Sequence, residues 1–170
     1  MEQQVSQLYQ NLQKLVGLHR RLMDSVRNEH DILVQADVKA IQEMTTEKQM
    51  LLESIRLAEV DRIKSVELLS SEWSIPVEEL SLSRVIVQLQ GTDQKQAEQF
   101  RSTLNALTVL IQRITEQNLE NRKLVEASLQ HVHRMKRNVL GAGAPRASTY
   151  TAQGQPAQGN GPSRLISREI

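Results

Sequence analysis

The side chains that could bind a metal or perform catalysis are few in this sequence, and their spacing is unsuitable. His131 and His133 lie two positions apart, which places them on different faces of a helix rather than on one metal-binding face. His19 falls within a run of apolar residues, where a hydrogen-bonded core histidine is commoner than a catalytic one. The sequence has no cysteine, no glycine-rich phosphate loop and no nucleophile elbow. We therefore expect no enzyme, no cofactor and no metal site.

A basic stretch formed by Arg134, Lys136 and Arg137 has two interpretations. It could contact nucleic-acid phosphates, or it could complement the negative end of a helix dipole. No aromatic residue interleaves with it and the net charge is only +1, so we expect no nucleic-acid partner. There is no apolar run near 18 residues and no charged-then-apolar N-terminus. We accordingly expect a cytoplasmic protein that does not insert into a membrane.

The composition predicts an all-α fold. Aromatic residues make up 2% of the 170 residues, while Leu, Ile, Val, Gln and Glu dominate. Straight side chains lose little rotamer freedom in helices, and few aromatics favour a narrow aliphatic core. We expect an antiparallel three-long-helix bundle or coiled coil with short connecting helices. Residues 1–140 would form this bundle, with long helices at about 2–35, 38–72 and 94–140 and a short helical connector at 76–90.

The first two long helices are predicted from apolar residues that recur every three or four positions. In the first helix these are Val5, Leu8, Leu12, Leu15, Leu22, Val26 and Leu33, with His19 and Glu29 between them. Asp37 follows as the predicted N-cap of the second helix, because its carboxylate can accept from free amides of the next turn. In the second helix the pattern slips by one residue between Ile55 and Ile63, which predicts local unwinding.

The third long helix keeps a strict alternation of three and four over its whole length. The positions are Ala97, Phe100, Leu104, Leu107, Ile111, Ile114, Asn118, Asn121, Val125, Ser128, Val132, Met135 and Val139. At 1.5 Å per residue this helix would exceed its partners by roughly 20 Å. An apolar stripe without a partner inside its own molecule indicates a partner from outside.

Asn118, Asn121 and Ser128 interrupt this stripe with polar side chains. One interpretation is that buried polar residues fix the register of the helices at some cost in stability. The other is that the stripe leaves the bundle here, so that the polar atoms meet water or the backbone of a partner. The two interpretations are compatible.

The composition changes abruptly after Leu140. Residues 141–170 hold five of the seven glycines and three of the four prolines. Such a segment cannot bury enough apolar surface to offset its ordering entropy, so we expect a disordered tail. Tyr150 is unusual in such a segment, and a tyrosine ring can anchor a short linear motif in a pocket.

Asn118 and Asn121, followed by Val125 and by a glycine-bearing tail with Tyr150 and Gly154, resemble the flagellar type III export chaperones of the FlgN-like family. The N-terminal half is similar too. It has Leu15 to Leu22 around His19, a turn at Asp37, and Lys48 before Leu51-Leu52 and Ile55. The tail differs where the family often has a glycine directly after the tyrosine, since Thr151 stands there.

The resemblance implies a cytoplasmic chaperone that binds the hook-associated proteins of the hook–filament junction, masks their terminal helices and docks at the export gate. It assigns docking on the cytosolic domain of an export-gate membrane protein to Tyr150. The C-terminal part of the third helix, whose apolar side chains would have no partner in the bundle, suits a helix-in-groove client site. Its predicted client-binding residues are Asn118, Asn121, Val125, Leu129, Val132, Met135 and Val139. The main alternative is a structural coiled-coil protein that forms a homodimer through the third helix.

Overall fold

The computed structural model describes residues 2–139, and within that range the chain is helical and has no β-strand. The predicted all-α class is therefore confirmed. The elements are α1 (Glu2–Gln35), α2 (Val38–Trp73), a short 3-10 turn (Val77–Glu79), α3 (Leu82–Gln90) and α4 (Gln94–Val139). Residues 2–127 belong to one compact unit and residues 128–139 to a second. The predicted tail, 141–170, lies outside the described residues.

Polar caps define where the helices begin. Asp37 is the N-cap of α2, as predicted, and its carboxylate accepts from the backbone amides of Lys39 at 3.0 Å and Ala40 at 3.1 Å. Asp93 performs the same task for α4 by accepting from the amide of Gln96 at 3.0 Å. Each cap satisfies amides that the first helical turn leaves without an internal partner.

α1 and α2 form an antiparallel hairpin. Near one end of the hairpin the Asn11 side chain donates to Ser65 Oγ at 2.8 Å. Near the other end Lys48 Nζ lies 2.6 Å from Glu29 Oε2. Because the position on α2 falls as the position on α1 rises, the two helices run in opposite directions.

The heptad register of α2 is continuous, and the predicted slip between Ile55 and Ile63 is wrong. Ile63 is 45% exposed, whereas Ala58 is fully buried. Buried and half-buried positions alternate by three and four at Met44, Lys48, Leu51, Ile55, Ala58, Arg62, Ser65 and Leu69. Small and polar residues occupy several core positions, so a search for large apolar side chains gives the wrong register.

α4 runs in the same direction as α1. Gln13 on α1 donates to Thr103 Oγ1 on α4 at 2.9 Å, and Asn121 further along α4 donates to the backbone carbonyl of Val26 at 2.9 Å. The predicted stripe is wrong at Ile111, which is 49% exposed, because α4 is turned so that the neighbouring Leu110 packs against the core. In the same way Thr103 is buried, while the predicted Leu104 is half-buried.

The largest cluster of buried side chains joins all four α-helices of the compact unit 2–127. Phe100 belongs to this cluster, and the half-buried Tyr9 ring packs on it with the two centroids 5.4 Å apart. α3 contributes Val85, Ile86 and Leu89. A smaller cluster, which includes Leu22, Val26 and Ile114, continues the core toward Asn121. The aliphatic core predicted from the composition is present, while the arrangement of the whole chain as a three-long-helix bundle stays a prediction.

Candidate functional site

A network of polar side chains follows the aliphatic core where α1, α2 and α4 meet. Asn121 on α4 is its centre and is only 4% exposed. Its amide nitrogen donates to the Val26 carbonyl at 2.9 Å and to Glu29 Oε2 at 3.1 Å. Its amide oxygen lies 3.1 Å from His30 Nδ1 and accepts from Gln117 at 3.3 Å. Both ends of this carboxamide are satisfied, which favours the interpretation that Asn121 fixes the register of α4.

Lys48 brings α2 into the same network. Its ammonium lies 2.6 Å from Glu29 Oε2 and donates to Asn118 Oδ1 at 3.2 Å. The Lys48 and Glu29 side chains are each 20% exposed, so water screens this pair less than it screens the surface pairs of the chain. Glu29 therefore receives hydrogen bonds from two helices at once.

An open cavity of about 260 Å³ lies directly over this network. Leu33 and Val125 supply apolar walls, and Lys48 and Asn118 supply polar ones. Asn118 is half-buried and Val125 is 39% exposed, so both are accessible to a partner. Three of the predicted client-binding residues, Asn118, Asn121 and Val125, are therefore together, although Asn121 forms the buried floor.

The remaining predicted client-binding residues lie on the last turns of α4, in the second unit. Leu129 is 53% exposed, Val132 58%, Met135 53% and Val139 81%. Steps of three and four residues place them within an arc of about 120° on the helix surface, given 3.6 residues per turn. We call this set the apolar stripe. Four large aliphatic side chains exposed together on one helix face are typical of a protein interaction site.

Polar residues occupy the rest of this helix segment. Gln130, Arg134 and Arg137 lie away from the apolar stripe, whereas His133 lies beside its Leu129 edge; all four are exposed. Lys136 and Arg137 are the basic residues of the last turn, in agreement with the predicted complementation of the helix dipole. Among residues 2–139 no cluster of three or more His, Asp or Glu that could hold an ion is found.

Sequence reasoning found the accessible residues but missed most of the polar network. The sequence indicated Glu29 only as a charged residue at a heptad position of α1. It indicated Lys48 only as one of the residues that the chain shares with the FlgN-like family. Their pairing requires the register of α2, which the sequence did not reveal. Tyr150, the predicted docking residue, lies outside the described residues.

A larger open cavity, of about 620 Å³, lies at the opposite end of the compact unit 2–127. Val5, Trp73 and Leu89 supply its apolar walls. No predicted site residue falls there. Trp73, the single tryptophan of the sequence, was the one signal that could have indicated it.

Comparison with known proteins identifies the family of this chain. No curated protein and no solved structure matches the chain. No helix among residues 2–139 combines the length and the apolar character that crossing a membrane requires. The sequence profile described as FlgN protein matches residues 1–158. This match extends over the polar network, the apolar stripe and Tyr150, and it shows that the chain belongs to the FlgN family of flagellar export chaperones.

Proposed function

We propose that this protein is a cytoplasmic chaperone of the hook-associated proteins of the flagellar hook–filament junction. It binds the C-terminal helical segments of these clients, prevents their premature assembly and delivers them to the type III export gate. Membership of the FlgN family supports the chaperone role. The observation that carries the client site is the exposure of Leu129, Val132, Met135 and Val139 on one face of α4.

A client segment would bind by laying the apolar face of an amphipathic helix against the apolar stripe. Complete burial of a Val- or Leu-sized side chain contributes about 1.5–3 kcal/mol. Leu129, Val132 and Met135 are already about half covered, whereas Val139 is 81% exposed. The stripe therefore contributes roughly 4–7 kcal/mol, and the facing side chains of the client contribute a similar amount. After association costs of several kcal/mol, the upper end of this range corresponds to about micromolar affinity. Met135 is flexible and polarizable, which allows one surface to accept more than one client.

The cavity beside Asn118 and Val125 supplies a second contact for the client. Its apolar walls accept an aliphatic side chain, while the Asn118 carboxamide offers hydrogen-bonding groups to a client backbone. Asn121 supports this contact from below by holding α4 on α1. We propose that the chain preceding residue 141 folds as one antiparallel three-long-helix bundle that carries both contacts.

Docking on the cytosolic domain of the export-gate membrane protein is proposed for Tyr150. Its support is the resemblance of the Tyr150 to Gly154 region to the tail of FlgN-like chaperones. The proposal separates the two tasks of the protein. Client binding would depend on α4, and gate docking on the tail.

A structural homodimer remains the second candidate, because the same exposed stripe fits a second copy of the chain. The two functions differ in what the isolated protein does. A homodimer that buries residues 125–139 leaves no surface for a client. A chaperone keeps that surface available until the client arrives.

Calorimetric titration of the full chain with C-terminal segments of hook-associated proteins tests the proposed function. Light scattering on the same samples gives the mass before and after binding. We expect saturable binding with a defined stoichiometry and a negative heat-capacity change, because apolar surface is buried. A stable dimer that binds none of the segments would contradict the proposal and favour the structural alternative.

A further inference from the structure

The borders of the apolar stripe carry no negative charge. Between Ala127 and Val139 the sequence contains Arg134, Lys136 and Arg137 but neither Asp nor Glu. The preceding part of α4, residues 94–127, is balanced, with five Lys or Arg and four Glu. The charge of α4 therefore changes where the apolar stripe begins.

Basic residues in the earlier part of α4 have partners on the same helix. Arg101 pairs with Glu98 at 2.8 Å, and Arg122 pairs with Glu126 at 2.9 Å. Lys136 has no such option, because the positions three and four residues before it are His133 and Val132, and no acid follows it in α4. A charge without an intrahelical partner is available to a second molecule.

Lys136 borders the apolar stripe, whereas Arg137 does not. Lys136 follows Val132 by four residues and precedes Val139 by three, so its side chain emerges at the edge of the stripe. Arg137 lies about 140° around the helix from Val132, on the far face. His131 and Asn138 occupy the other border. In paired helices, residues at these border positions select partners by charge.

We infer that the apolar stripe selects an amphipathic helix whose own apolar face is bordered by carboxylates, and that Lys136 is the residue that determines this preference. The inference rests on the proposed function and specifies the class of client. A helix bordered by Lys or Arg would place like charges against Lys136 and bind less tightly. Helix-dipole complementation accounts for a basic last turn of α4, but it does not account for the position of Lys136 beside the apolar stripe, since Arg137 complements the dipole from the far face.

Two synthetic amphipathic peptides test the inference. Both carry leucines at the same heptad positions, but one has Glu and the other Lys at the bordering positions. We expect the full-length protein to bind the Glu peptide about five- to tenfold more tightly, a difference that diminishes as the salt concentration rises. Equal affinity for the two peptides would overturn the inference.

The variant Lys136→Glu should abolish or reverse this preference. Arg137→Glu is the matched control, because it makes the same charge change in the same last turn of α4, on the far face. It should retain the preference for the Glu peptide. If both variants change the preference equally, net charge and not the border position is responsible, and the inference is overturned.

Failure of the inference differs from failure of the proposed function. A variant with Val132→Asp and Met135→Asp should bind neither peptide. If this variant binds neither peptide while the wild-type protein binds both equally, the apolar stripe is the binding surface and only the charge selection is wrong. If it binds both as well as the wild type does, the apolar stripe is not the client site.

Discussion

Asn121 on α4 donates a hydrogen bond of 2.9 Å to the backbone carbonyl of Val26 on α1, which lies 95 positions earlier in the chain. The same amide nitrogen reaches Glu29 at 3.1 Å. The pairing joins the two helices about two turns before the apolar stripe begins on α4. It therefore combines a structural role with a position beside the proposed client contacts.

Replacing Asn121 by Ala should destabilise the fold. The change leaves Glu29 and His30 with fewer partners and opens a small space beside Val26, so we expect a loss of about 1–3 kcal/mol in the free energy of unfolding. Urea denaturation followed by circular dichroism measures this loss. Asn118→Ala is the matched control, because Asn118 is less buried and accepts one hydrogen bond, from Lys48. Equal stability of the Asn121→Ala variant and the wild type would contradict the register role.

Replacing Lys48 by Met should leave the Glu29 carboxylate without its cationic partner. Because both side chains are mostly covered, we expect a loss of about 1–3 kcal/mol in the free energy of unfolding. Arg122→Met removes an exposed pair with Glu126 and should change stability by less than about 1 kcal/mol. A double-mutant cycle with Glu29→Gln measures the coupling directly. A coupling energy near zero would show that the contact does not stabilise the protein.

The combined change Val132→Asp and Met135→Asp should abolish client binding. Two carboxylates on the apolar stripe would have to be desolvated beneath the client helix, which costs several kcal/mol. Calorimetry measures the binding, and circular dichroism should show nearly unchanged helicity because both residues are exposed. The control is Ala127→Asp with Gln130→Asp, which adds the same number of carboxylates at exposed positions of α4 away from the stripe and should bind normally. Wild-type affinity in the stripe variant would exclude this surface as the client site.

Tyr150→Ala should separate client binding from export. We expect unchanged client affinity by calorimetry, because the client contacts are proposed on α4. Secretion of the client by cells that carry the variant should fall, since the tail would lose its docking side chain. Tyr150→Phe retains the ring and is the informative comparison. Normal secretion by the Tyr150→Ala variant would remove the docking role from this residue.

The sequence predicts the helices well because their signals are local. The Asp37 cap depends only on the amides of the next turn, and its hydrogen bonds to Lys39 and Ala40 are present. The register of α2 was wrong because Ala58 and Ser65 occupy core positions without being large and apolar. A heptad assignment based on large apolar side chains therefore misses the buried positions Ala58 and Ser65.

The polar network could not be predicted, because its members come from three helices that are distant in sequence. Glu29 and Lys48 meet only once the register of α2 against α1 is known. Asn121 was recognised as a polar residue in an apolar seam, but its partner, the Val26 carbonyl, is a backbone group that no side-chain pattern can reveal. The exposure of Val132 and Met135 was predictable, since it follows from helix lengths and needs no knowledge of pairing.

The side chains of two buried asparagines fix the positions of α2 and α4 along α1. Asn11 aligns α2 through Ser65, and the Val26 carbonyl aligns α4 through Asn121. One residue inserted between positions 11 and 26 would rotate one of these attachments by about 100° and shift it by about 1.5 Å while the other stayed in place. Substitutions at exposed sites in this stretch are tolerable, but a change in its length is not. Connecting segments, such as the one between α2 and α3, impose no such constraint on length.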